Sequence, residues 1–376
     1  MTGKRILLAG VTGYIGGSVL HQLLHSKYSA IEGAEIVCLV RGEARVAQLH
    51  AAFGPRIKVV GFEGLEDTEA LVGIASQYDV IFNMTLGYHL ASALAFIKGL
   101  SLRHKSTGRD VWMVHTSGVS NLADQPLSGA HVESNSGLEL DDSKDDIHAY
   151  EKARNTGKRY IQRTTELGMV DAGVESGVKT VVLMSPLIYG VGTGLWNKRS
   201  LQVPRLAQAA ISEGHAIVIG DGEGVWDNVH IEDLAGLYEL VLTDILSNDG
   251  ASVPTGKQGV IFSAHRRHKW IDLSQGVADA AFEAGMVKSK TVKSVSLADG
   301  AKLLTGGVEQ VAELGFASTC RTRSEIAKVL GWHPKVGIEA WGRGFAEEIR
   351  LATKNAHLHA VNASRSLVKT RNFVEK

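Results

Sequence analysis

The chain is 376 residues long, with 40 Lys+Arg against 40 Asp+Glu, 44% hydrophobic and 21% charged residues. Such a composition belongs to a globular protein with apolar material for two structural regions, and zero formal net charge withholds the long-range field that nonspecific nucleic-acid or anionic-membrane binding needs. Two cysteines, Cys38 and Cys320, make neither a disulfide framework nor a Cys-based zinc site, and with no apolar run near the ~20 residues of a membrane span and no cleavable leader, a soluble cytoplasmic protein is expected, with neither a nucleic-acid nor a membrane partner.

In chain order, Lys4 to Gly10 reads as a short buried strand, and Tyr14 to His25 as an amphipathic helix with Ile15, Val19, Leu20, Leu23 and Leu24 at helical spacing. Five further runs rich in β-branched residues follow, Glu35–Val40, Ile57–Val60, Asp79–Phe82, Val111–His115 and Lys179–Met184, separated by helix-sized stretches. Apolar strands alternating with helices predict an α/β fold, a doubly wound parallel sheet over residues 1–190 with its ligand crevice at the carboxyl ends of the strands. Ser120 to Asp146 is polar and aperiodic and is expected to be a long surface excursion. Beyond 190 the alternation weakens. Strands are expected at Ala216–Ile219 and Val260–Ser263, and helices at Pro204–Glu213, Leu273–Gly285 and Arg323–Leu330. The expected plan is a smaller mixed substrate region over 191–350, part of 220–264 returning to the sheet, and a basic tail over 355–376.

Gly10-Val11-Thr12-Gly13-Tyr14-Ile15-Gly16 leaves the first strand and opens the first helix, the context in which a glycine triplet marks a dinucleotide site. The first glycine permits the tight turn, the second lets the backbone approach a pyrophosphate, and the third lets the helix pack on the strand. The helix N-terminus then offers free N–H groups to the anion. The second strand ends Leu39-Val40-Arg41-Gly42, with Glu43 the nearest carboxylate. Arginine at this place favours a ribose 2′-phosphate, so NADP (NADPH) is expected over NAD. The competing reading makes Arg41 a solvated surface residue and gives the ribose to Glu43. Asn83-Met84-Thr85, after the fourth strand, is placed along the cofactor's ribose and nicotinamide.

These glycines resemble those of the extended short-chain dehydrogenase/reductase superfamily, the NAD-dependent epimerase/dehydratase-like group, and in particular a fungal branch of it. Other segments agree in order: His115-Thr116-Ser117-Gly118, Ser185-Pro186-Leu187-Ile188-Tyr189-Gly190, Gly220-Asp221-Gly222 with Trp226 to Ala235, and Leu330-Gly331-Trp332-His333-Pro334-Lys335. The resemblance spans residues 4 to 335. It implies a Rossmann domain, Pro186 and Tyr189 beside the nicotinamide, a catalytic Ser/Thr at Ser117 or Thr116, and a homodimer packed through helices within 86–104 and 156–176.

The family's catalytic pair is Tyr-x-x-x-Lys on one helix face, where the ammonium lowers the phenol's pKa toward working pH. No Tyr-x-x-x-Lys occurs in this chain. Distance from Tyr189 points to Tyr160, followed by Arg163 and Thr164. Chemistry points instead to Tyr150-x-x-x-Arg154, although a guanidinium does not reproduce an ammonium's point geometry. A third reading makes neither tyrosine catalytic. Ser117 and Thr116, at the end of a central strand, are placed to hold a substrate carbonyl or hydroxyl; a strand-end cap is the competing reading. Asp227 and His230 either reach the substrate or hold the C-terminal region to the sheet. Histidines 21, 25, 265 and 268 are read as solvated surface, with no metal site, and Lys198, Arg199, Arg205, Arg266 and Arg267 as cations of the substrate region.

Three functions fit. One is NADP(H)-dependent hydride transfer to or from a small-molecule carbonyl or alcohol. The second is a nucleotide-sugar epimerase or dehydratase, or a non-redox isomerase, with retained NAD(P), and the third is a non-catalytic NADP-sensing regulator.

Overall fold

The computed structural model describes residues 3–135 and 137–353. Its first five strands are β1 (Ile6–Ala9), β2 (Ile36–Arg41), β3 (Lys58–Phe62), β4 (Val80–Asn83) and β5 (Trp112–Gly118). With Lys179–Ser185 and Val260–Phe262 they form a seven-stranded sheet in the order Val260–Phe262, Lys179–Ser185, β5, β4, β1, β2, β3. Every neighbouring pair is parallel. The winding direction reverses between β1 and β4, which puts the ligand crevice at their carboxyl ends.

Continuous apolarity follows from burial on both faces. All four residues of β1 are buried, and the pleat divides them: Leu7 and Ala9 join one core, Ile6 and Leu8 the other. The first core is covered by the helices Thr68–Ala75, Leu90–Thr107 and Ile161–Ser176, and the second by Tyr14–Leu24 and Ile231–Ser247. Thus one helix and one strand from beyond residue 190 complete the sheet domain. The rest of the C-terminal region carries small sheets, Leu187–Tyr189 with Val225–His230 and Arg266–Lys269, and Ala216–Ile219 with Val292–Val295.

Several expectations are corrected. Residues 120–146 do not form a surface excursion throughout: Leu140–Asp141 pairs with Thr322–Arg323, and Leu122, Ala123 and Gln125 are buried. Carboxylates tie the segment to distant backbone, with Glu313 accepting the segment's Leu127 and Ser128 N–H groups and the segment's Asp142 accepting those of Phe262, Glu325 and Ile326. The helix expected at 323–330 covers only Glu325–Val329. His268 is not solvated; it is buried against Trp270 and Trp341 and accepts a hydrogen bond from the Asn228 amide. The 355–376 tail lies outside the described residues. Among the described residues no helix is long and apolar enough to cross a membrane.

Burial pushes the imidazole pKa of His115 down to about 4 and that of His268 down to about 3. Because the unfolded chain then binds protons first as pH falls, the stability these neutral rings contribute is intact above pH ~6.5 and is lost progressively toward the folded values. Each ring is expected to cost about 2–3 kcal/mol by pH ~4. Urea unfolding of wild type and His268→Gln at pH 7 and pH 4.5 tests this, with a smaller acid loss expected in the variant.

Candidate active site

The glycine turn is as tight as backbone allows. Gly10 holds φ +96°, and a Cβ there would overlap the Met84 carbonyl; a Cβ on Gly16 would overlap the Gly10 carbonyl. Strand β1, the first helix and the turn after β4 therefore meet in backbone-to-backbone contact. Gly13 caps the helix Tyr14–Leu24 without a side-chain bond, and the first helical turn holds no acid. That leaves the N-terminal N–H groups for an anion, so the cradle fits a dinucleotide pyrophosphate. Thr12 and Ile15 are half-buried around it.

Tyr14 spends its hydroxyl on the Gly190 carbonyl at 2.6 Å. Gly17 and Gly194 lie close enough that a Cβ on Gly17 would stand 2.9 Å from the Gly194 Cα. The loop after Leu187–Tyr189 is thereby pinned across the first helix. At the end of β4, the Asn83 carbonyl oxygen accepts from the Thr85 N–H and Oγ1, and its Nδ2 donates to His115 Nδ1 at 3.1 Å. Since the amide is oriented by Thr85, His115 is the Nε2–H tautomer. Arg41 is exposed at the end of β2 and makes no side-chain hydrogen bond or ion pair among the described residues.

Alternation along β5 separates the two candidate hydroxyls. Thr116 Oγ1 pairs with Tyr238 of the helix Ile231–Ser247 at 2.6 Å. Ser117 turns to the other face, where its Oγ accepts from Asn121 Nδ2 at 3.3 Å and Gln162 Nε2 at 3.4 Å. Asn121 Nδ2 also donates to Glu166 Oε2 at 2.8 Å and so bridges Ser117 to Glu166; the Ser117 hydroxyl is near enough to act on the Glu166 carboxyl. Gln162 and Glu166 lie one turn apart on Ile161–Ser176, on the face turned to Ser117. Gln162 also reaches the Gly118 carbonyl at 3.4 Å.

The two tyrosines part company. Tyr160 caps the helix Ile161–Ser176 and brings its hydroxyl to 3.4 Å from Ser120 Oγ; burial pushes its pKa up. Tyr150 instead bonds Glu133 and the Leu122 carbonyl. Its neighbour Arg154 donates to the Leu122 and Ala123 carbonyls and so pins that segment. Tyr150 lines a cavity of about 210 Å³ together with Leu122, Glu133 and Cys320. Neither phenol bonds Ser117. Pro186 and Tyr189 are buried at the crevice, Tyr189 edge-on to His230 and Trp341.

Asp227 is structural: it accepts from Arg267 Nε, the Thr322 N–H and the Thr322 hydroxyl. His230 accepts the Glu232 N–H at the start of Ile231–Ser247. Arg267 is paired with Asp227 and Glu139, and Arg199 with Glu348, which corrects their reading as free substrate-region cations. Arg205 makes no ion pair among the described residues; Tyr88 is its electrostatic neighbour. Among the described residues no three His, Cys, Asp or Glu side chains gather as a metal site.

No protein-family model matches the chain. A fungal oxidase, ucsJ from an Acremonium species, is 28% identical over 342 residues, 88% of this chain and 93% of the oxidase. The solved structure of PbgP3 from Burkholderia pseudomallei superposes with TM-score 0.62 at 13% identity, over 94% of this chain and 98% of that one. DesIV of Streptomyces venezuelae, a dTDP-glucose 4,6-dehydratase solved as a double mutant with NAD bound, gives TM-score 0.60 at 17% identity, over 93% and 97%. The fold is that of the extended short-chain dehydrogenase/reductases. On this extended short-chain dehydrogenase/reductase fold, the side chains that reach Ser117 from the helix Ile161–Ser176 are an amide and a carboxyl, Gln162 and Glu166.

Sequence reasoning missed Gln162, Glu166 and Asn121. The available signal was Glu166 beside Leu167, Met169 and Val170, a carboxyl on a helix's apolar side that needs a buried partner.

Gly10→Ala combines a forbidden φ with overlap on Met84. It is expected to cost on the order of 3 kcal/mol and to weaken dinucleotide binding, read by urea unfolding and calorimetric titration of the same preparation.

Proposed function

We propose that this chain is a cytoplasmic NADP(H)-dependent oxidoreductase that interconverts a carbonyl and an alcohol on a small molecule. The observation that carries the reading is Ser117: its hydroxyl stands at the end of central strand β5, held by two amides, beside a glycine cradle with an uncapped helix N-terminus. In this reading residues 1–190 hold the cofactor and 191–350 close over the substrate.

When bound, the nicotinamide supplies or accepts a hydride. The chain's own residues do the rest. Gly10, Gly13 and Gly16 admit the pyrophosphate to the helix N-terminus, and Arg41 meets the 2′-phosphate. Asn83, Met84 and Thr85 line the ribose, with the Asn83 amide held by Thr85 and His115. Ser117 bonds the substrate oxygen as charge develops on it. Tyr160, beside Ser120, lines the same edge. Arg205, desolvated enough that its pKa is lowered, is a cation for a polar or anionic substrate group.

A second reading, an epimerase or dehydratase with retained NAD, draws support from the NAD-bound dehydratase with this fold. The pairing of Arg199 and Arg267 with carboxylates removes two cations that a nucleotide-sugar diphosphate would use, and so favours the first reading.

Calorimetric titration of cofactor-stripped protein is the test. NADPH is expected to bind at least tenfold tighter than NADH, about 1.4 kcal/mol, and Arg41→Ala to erase that difference. Tight, co-purifying NAD would move the second reading to first place. On a panel of small aldehydes and ketones, Ser117→Ala should lower turnover about 100-fold or more while leaving NADPH affinity unchanged; full turnover in that variant would remove Ser117 from the site.

A further inference from the structure

Behind Ser117 lies a buried polar pocket for which the fold has no packing use. Glu166 and Glu151, the latter from the helix Ile147–Gly157, are both about 1% exposed and lie within bonding reach of each other. Two carboxyl groups bond to each other only when at least one keeps its proton. Four atoms of this pocket, Glu151 Oε1, Glu166 Oε1, Asn121 Oδ1 and Arg163 Nη2, are buried with no hydrogen-bond partner among the described residues. The cluster reaches the end of β5 at Ser117, which accepts from Asn121 and Gln162 and lies beside Glu166.

We infer that the Glu151–Glu166 carboxyl pair is the proton store of this site and exchanges a proton with the substrate oxygen through the Ser117 hydroxyl. The inference rests on the reading above that Ser117 faces the substrate oxygen. In the reductive direction the substrate oxygen takes the Ser117 O–H proton as its carbonyl bond opens to an alcohol. Ser117 Oγ takes the carboxyl proton of Glu166 in the same step. Glu166 is left as a carboxylate bonded by Asn121 Nδ2 and by the Glu151 acid, and one proton from solvent restores the pair. The electron pair that reduces the carbon comes from reduced nicotinamide dinucleotide, and oxidation of an alcohol runs the same relay in reverse.

The groups around the pair favour it over the phenols. Arg163, on the helix of Glu166, donates to the Asn121 and Lys158 carbonyls; Arg154 and Tyr150 come from the helix of Glu151, and Tyr160 caps that of Glu166. Burial raises the pKa of both carboxyls, and the neighbouring carboxylate raises that of Glu151 further. Burial also raises the Tyr160 phenol, with no lysine a turn away to bring it down. A carboxylic acid raised toward working pH thus takes the place of a phenol lowered to it.

Two measurements that need neither cofactor nor substrate test the relay. In infrared spectra of the apo protein at pH 8, a protonated-carboxyl C=O band is expected, shifted in heavy water and lost in Glu166→Gln and in Glu151→Gln. The second places a thiol as reporter with Ser117→Cys and follows its alkylation by iodoacetamide against pH, located by peptide mass spectrometry. Adding Glu166→Gln is expected to lower the thiol's apparent pKa by at least one unit, a tenfold change in proton affinity, whereas a glutamate that does not face position 117 would leave the profile unmoved. Absence of the acid band in wild type, or an unmoved thiol profile, overturns the relay. If Glu166→Gln fails to fold, by circular dichroism, Glu151→Gln carries both comparisons, and the wild-type spectrum decides regardless. A Ser117→Cys thiol that iodoacetamide never reaches overturns the exposure of position 117 and the relay with it. Failure of NADPH to bind in the titration above would instead overturn the oxidoreductase reading while leaving both of these results standing.

Discussion

Everything at the crevice depends on one close approach of backbone. Strand β1, the first helix and the turn after β4 meet where Gly10 and Gly16 leave no room for a Cβ. This contact sets the tilt of the first helix and aims its uncapped N–H groups at the carboxyl edge of the sheet. The same crowding continues outward through Gly17 and Gly194 and through the Tyr14 bond to Gly190. The cofactor cradle and the loop from the C-terminal region are therefore parts of one packed unit.

The C-terminal region is held on by carboxylates that accept distant backbone N–H groups. Asp233 accepts those of Lys335 and Val336, while its own carbonyl takes the Trp332 indole. Asp227 holds Thr322, Asp142 holds Phe262, Glu325 and Ile326, and Glu313 holds Leu127 and Ser128. Each bond satisfies a donor that burial would otherwise orphan. Asp233 thus clasps the segment Trp332 to Val336 and Asp227 clasps Thr322, so both serve architecture.

The chemistry of the site follows from polarity placed where the fold is driest. Ser117 sits beside the Glu151–Glu166 pair, with Asn121 bridging hydroxyl and carboxyl. Arg154, which by spacing looks like a partner for the Tyr150 phenol, is largely consumed by the Leu122 and Ala123 carbonyls. A site without the lysine still has carboxyls whose proton affinity is raised, by burial and, for Glu151, by like charge.

The sequence by itself determined the sheet, the first helix and the glycine turn, because these rest on local signals: β-branched runs buried on both faces, a 3.6-residue period, and glycines where no Cβ fits. It also placed Ser117 and Thr116 at a strand end. Only the tertiary structure decided which of the two meets Tyr238 and which meets Asn121 and Gln162, because the pleat's phase is set by what packs on each side. The fates of Tyr150, Tyr160, Arg199 and Arg267 were decided the same way, by partners 17 to 149 residues away in the chain or by a helix cap. Glu151 and Glu166 meet only because two helices cross behind β5, and a carboxyl's proton affinity is set by that burial and that neighbour, neither of which spacing along the chain records.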